Sequence, residues 1–129
     1  MTQIVRFRTA SGSFAVDVEH VREVRTPEGL SPLPAPIEGV AGILRAGADA
    51  LTVLDVLGGG ERQVLLLEPA GRRFGLLVEE VTGVSRINPD RIGPAPAGQA
   101  EGLVTGVIEI DDVLVLLVDA VALERRLER

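Results

Sequence analysis

The chain has 129 residues, 46% of them hydrophobic and 25% charged, which is enough for one ordinary domain with a real core. A net charge of −6, with no tryptophan or tyrosine, argues against general nucleic-acid binding and against stacking on bases or sugars. The absence of cysteine removes disulfides, thiolate metal ligands and a cysteine nucleophile, and it suits a cytoplasmic protein.

Met1 to Thr9 lacks the basic-then-apolar pattern of a leader. Val5 and Phe7 alternate with Arg6 and Arg8, Ser11-Gly12 supplies a turn, and Phe14, Val16 and Val18 alternate with Ala15, Asp17 and Glu19. That pattern predicts a β-hairpin. Val21 and Val24 are then three residues apart, which predicts a short helical turn. Pro27 to Pro36 reads as an extended surface loop. Val40 to Leu44 and Leu51 to Val56 form a second hairpin, turning near Gly47-Ala48. Gly58-Gly59-Gly60 reads as a flexible linker. It lacks the Lys-Ser/Thr of a phosphate-binding loop.

The second half follows the same order. Val64 to Glu68 and Phe74 to Val78 form a hairpin, Val81 and Val84 suggest a helical turn, and Pro89 to Pro96 is a loop. Val104 to Ile110 and Val113 to Val118 form the closing hairpin, turning at Asp111-Asp112. Val113 to Val118, the longest apolar run, is far too short to span a bilayer. Ala120 to Arg129 reads as a short C-terminal helix.

The halves are related. At an offset of 60, Ala10 meets Ala70, Phe14 meets Phe74, Glu19 meets Glu79 and Val21 meets Val81. At an offset of 64, Val40 meets Val104, Gly42 meets Gly106 and Asp55 meets Asp119. Two copies are too few for a solenoid, so the repeat predicts two related modules in one domain, residues 1–57 and 61–129. Many short strands with glycine and proline turns, and no crossover helix, predict a mostly β chain built of small barrels.

Chemistry is sparse. His20 is the only histidine and reads as an ordinary polar residue. Glu79-Glu80 and Asp111-Asp112 are strand or turn neighbours, not acid–base pairs. Asp55 and Asp119 share a place at strand ends that suggests turn capping. No catalytic, metal or cofactor site is expected. Apolar strand surface and acidic loops fit a protein-binding module.

Residues 33–55, LPAPIEGVAGILRAGADALTVLD, resemble the most recognisable stretch of CheW-like coupling domains. Leu33-Pro34, Val40, Gly42-Ile43, Val53 and Asp55 fit that pattern without gaps. Gly71 to Val81 is similar to the family's Gly-Leu-x-Val-Asp-x-Val strand, and Leu103 to Asp119 to its closing hairpin. The likeness covers nearly the whole chain. It implies two similar five-stranded SH3-like barrels packed side by side, with short helical turns and a short C-terminal helix.

The resemblance also implies a non-enzymatic adaptor that couples chemoreceptors to a CheA-type histidine kinase. The kinase's regulatory domain would meet a barrel end, and the groove between barrels would take the chemoreceptor cytoplasmic tip. The place would be the cytoplasm, at arrays on the inner face of the membrane, without insertion into it. The alternative is a divergent CheW-like interaction module of a non-chemotaxis pathway, able to self-associate. Candidate partner contacts are Val18, Val21, Glu23, Val40, Gly42, Arg45 and Gly47. Where the family has Asn-Leu-Arg-Gly, this chain reads Arg45-Ala46-Gly47-Ala48, with Gly47 in the arginine place. Arg45 and Gly47 share a strand face. Arg45 is therefore expected to project toward the groove and to pair with a carboxylate such as Glu23.

Overall fold

The computed structural model describes residues 1–99 and 102–128. Twelve strands carry the fold. They are β1 (Thr2–Thr9), β2 (Gly12–Asp17), β3 (Val21–Arg25), β4 (Leu30–Ser31), β5 (Val40–Ala46) and β6 (Asp49–Leu54). Then come β7 (Gln63–Leu67), β8 (Phe74–Val78), β9 (Glu80–Ile87), β10 (Gly93–Pro94), β11 (Val104–Ile110) and β12 (Val113–Val118). One α-helix, α1 (Ala120–Arg125), follows. Its first N–H groups are satisfied by Asp119, whose Oδ1 accepts from Val121 and Ala122 at 3.0 and 3.2 Å, the capping expected of that residue.

The strands form two six-stranded sheets, β10-β11-β12-β2-β1-β9 and β3-β7-β8-β6-β5-β4. In each, five longer strands are joined by one two-residue edge strand. A flat sheet of that size would hold its edges about 24 Å apart. Residues 26–29 link the two edges of the second sheet and can reach only about 17 Å. Residues 88–92 link the edges of the first, and the 3-10 turn Pro89–Arg91 shortens that path. Each sheet must therefore curl until its edges approach, which makes a small barrel.

Strand pairing corrects the expectation that residues 1–57 and 61–129 form one barrel each. The hairpin β1–β2 pairs with β9 and, in parallel, with β12. The hairpin β7–β8 pairs with β3 and, in parallel, with β6. Each unit lends its hairpin to the other unit's sheet. The chain crosses between sheets at the 3-10 turn Val18–His20 and again at Glu79.

The helical turns expected after each return strand are also corrected. Val21, Val24, Val81 and Val84 all lie in strands. Arg22 is an extra residue opposite β7, and Thr82 is an extra residue opposite β1. A bulge inserts one residue and shifts the alternation, so that residues three apart share a face. A helical turn directly follows the return strand only in the first unit, at Val18–His20, and the second unit has its 3-10 turn later, at Pro89–Arg91. A second equivalent pair of bulges sits at Ala41 and Thr105. The proline-rich loops are likewise not free of structure, since each contributes a two-residue strand, β4 or β10. Pro94 is tolerated because β10 is an edge.

Three apolar clusters result. The largest lies between the barrels and takes Phe7, Phe14, Leu65, Phe74, Leu76 and Leu123, among others. Phe7 and Phe14 stack with ring centres 5.7 Å apart. Leu44, Leu51, Val53, Val64, Leu66 and Leu77 fill one barrel. Ile4, Ala15, Ile87, Ile108 and Val115 fill the other. Alternation explains the division, because Val64 and Leu66 face a barrel interior while Leu65 and Leu67 face the seam. Gly58-Gly59-Gly60 is no flexible linker. A Cβ on Gly60 would overlap the backbone of Val78 and Glu79, so the glycines let two chain segments press together.

Candidate functional site: an apolar groove beside the seam

A groove of about 780 Å³ opens beside the seam. The loop before β5 contributes Leu33, Ile37 and Glu38, the β5–β6 hairpin Val40, Ile43 and Leu54, and the stretch after β6 Asp55 and Val56. Arg126 and Leu127, just past α1, close one side. Ile37 is 50% exposed, although it is a large apolar residue. Pro34 and Pro36 keep this loop extended, so its apolar side chains stand on the rim without a hydrogen-bonded strand beneath them.

The polar lining of the groove is Glu38, Thr52, Asp55 and Arg126, with no histidine or serine beside them. Asp55 uses its backbone, donating its amide to the Gly39 carbonyl at 2.8 Å, and Asp119 does the same to Leu103 at 2.8 Å. Among the described residues no group of three His, Asp or Glu side chains is placed to hold a metal ion. His20 is half-buried, and its carbonyl accepts from the Glu68 amide at 2.8 Å. Four ion pairs, such as Arg8–Glu80 at 3.3 Å, lie on open surface and contribute little.

The seven candidate contacts do not form one patch. Val40 lines the groove. Val18 and Val21 pack against the seam cluster at the edge next to β3. Gly42 is buried, and a Cβ there would overlap the Ser31 carbonyl, so its evident task is to let β4 approach β5. Gly47 makes the β5–β6 turn at φ 63°. The contact expected between Arg45 and Glu23 is not formed. Glu23 pairs with Arg25 at 3.5 Å. Arg45 is exposed and makes no ion pair among the described residues. Glu23 is held by a neighbour on its own strand, while Arg45 sits one residue from the end of β5, next to the β5–β6 turn.

Several surface residues had no signal in the sequence. Leu33, Ile37 and Ile43 belong to the groove, and only their apolar character amid prolines hinted at it. Val113 and Leu114, 47% and 66% exposed, stand at the end of the β11–β12 hairpin beside Glu109, Asp111 and Asp112. The turn between these strands holds Asp111 and Asp112 at φ 50° and 65°, the left-handed pair that a two-residue hairpin demands.

Among solved structures, the chain is similar to the scaffolding protein TtCheW from Thermoanaerobacter tengcongensis. The TM-score is 0.82 and the identity 23%, over 92% of this chain and 84% of that one. At that identity the likeness is one of fold. A search of the curated proteins gives no match. The family model of the CheW-like domain matches residues 3–128, nearly the whole chain, and with the paired barrels in place it shows that the chain belongs to the CheW-like domain family.

Proposed function

We propose that this CheW-like domain is a non-enzymatic adaptor that couples chemoreceptors to a CheA-type histidine kinase in the cytoplasm. The observation that carries the reading is the family match over residues 3–128. A groove that joins the apolar side chains Leu33, Ile37, Val40 and Ile43 to the charged Glu38, Asp55 and Arg126 supports docking of a partner segment. No helix among the described residues is long and apolar enough to cross a membrane. In this reading the groove around Val40 receives the apolar tip of a receptor hairpin. Val18, Val21 and Glu23 on one edge, and Arg45 and Gly47 at the β5–β6 turn, are further contacts. The kinase's regulatory domain meets the barrel end that presents Val113 and Leu114.

Calorimetric titration with the regulatory domain of a CheA-type kinase tests this. The parent is expected to bind saturably with modest affinity, as small transient signalling interfaces do. Leu114→Asp is expected to weaken binding about tenfold or more, as loss of a central apolar anchor does. No heat up to high micromolar concentration of the parent would remove the kinase from the proposal.

A further inference from the structure

The groove has a counterpart in the second unit, and there it is filled. At the offset of 64, Val40, Leu54 and Asp55 correspond to Val104, Val118 and Asp119. Val104 is buried where Val40 is only half-buried, although Leu54 and Val118 are both buried, and beyond Asp119 the chain continues as α1, whose Ala120, Ala122 and Leu123 join the seam cluster. Beyond Asp55 the chain forms no helix and instead passes through residues 56–62 to β7. The first unit therefore leaves open what the second unit covers with its own helix.

The end of that same helix reaches into the open place. Arg126 and Leu127 line the groove, and Leu127 is half-buried against the seam cluster. Arg126 brings a cation to a wall that carries Glu38 and Asp55. The segment is held by tight i→i−3 bonds. The Arg126, Leu127 and Glu128 amides donate to Leu123, Glu124 and Arg125 at 2.9, 3.0 and 3.1 Å. Such turns have poorer hydrogen-bond geometry and open at low cost. The preceding turns are anchored more firmly. Asp119 caps the helix, and Glu124 accepts from the amides of Ala70 and Arg72 at 3.2 and 3.4 Å.

We propose that the turn Arg126–Glu128 is a strap, an occupant of the groove supplied by the chain itself, which an incoming apolar segment displaces. Leu127 covers the apolar floor and Arg126 lines the groove together with Glu38 and Asp55, while Ala120–Arg125 stays docked. This rests on reading the groove as a docking site and adds its regulation: affinity for a partner is set partly by the work of lifting the strap.

The neutral apolar dye Nile red tests this without any partner. Leu127→Ser is expected to bind the dye about five- to tenfold more tightly than the parent, the effect of freeing a half-buried leucine's share of the groove. Adding Ile37→Glu should abolish the gain. Unchanged or weaker dye binding by Leu127→Ser makes Leu127 a fixed wall and overturns the proposal, as does a gain that survives Ile37→Glu. Should Leu127→Ser fail to fold, amide exchange in the parent decides. Saturating dye is expected to speed exchange at Leu127 and Glu128 and to leave Leu123 unchanged, whereas slower exchange at those two amides overturns the strap. Neither arm uses kinase or receptor, so failure here and failure of the adaptor reading are separate results.

Discussion

Residues 1–57 and residues 61–129, produced as separate chains, are each expected to be unfolded. The first fragment keeps β1–β2 but loses β9 and β12, the strands on either side of that hairpin. It also loses β7, the partner of β3, and β8, the partner of β6. Isolated two-stranded hairpins are marginal at best in water. Each fragment also forfeits a large part of the seam cluster, since Phe7 and Phe14 lie in one and Phe74 and Leu123 in the other. Far-UV circular dichroism and amide proton dispersion read the outcome. Both fragments should lack dispersed spectra when separate and regain them on equimolar mixing. A dispersed spectrum from either fragment alone, at a concentration where it is monomeric, would contradict the exchanged hairpins.

Phe14→Ala is expected to cost about 3–5 kcal/mol, the usual range for deleting a buried phenylalanine. Phe14 is buried, stacks on Phe7 and lies in the seam cluster that both barrels share. Domains of this size are stable by roughly 5–15 kcal/mol, so the loss takes a large fraction of the total. Phe74 holds the equivalent place and is fully buried, so Phe74→Ala should cost about as much. Leu114→Ala, at an exposed position, should change stability by less than about 0.5 kcal/mol. Urea unfolding of the three variants supplies the comparison. A loss below about 1 kcal/mol for Phe14→Ala would mean that the seam is not the main core.

The duplication was legible because equivalent positions carry equivalent duties. Phe14 and Phe74 fill the seam, and Asp55 and Asp119 each turn the chain at a strand end with the same backbone bond. The hairpins were legible from alternation and turn residues. The exchange between units was not. The two hairpins present similar faces, with Ile4 and Ala15 in one and Val64 and Gly75 in the other, so patterning alone fits either hairpin to either sheet. The bulges at Arg22 and Thr82 imitated a helical period, because one inserted residue turns a spacing of two into three. The groove was hidden for another reason. Its wall comes from the proline-rich loop, the end of β6 and the residues after α1, which only the folded chain brings together. Arg45 was misjudged because facing outward from a strand does not fix which other strand lies opposite.

Coupling means that one molecule holds receptor and kinase at once, and sedimentation velocity of a three-component mixture measures it most directly. The components are this chain, the regulatory domain of a CheA-type kinase and a peptide hairpin carrying a chemoreceptor tip. The groove around Val40 and the end bearing Val113 and Leu114 involve different strands in different sheets, β5 in one and β12 in the other. The two partners should therefore bind together and give a boundary heavier than either binary complex. A mixture in which either partner displaces the other, or in which the chain binds neither, would contradict the adaptor account.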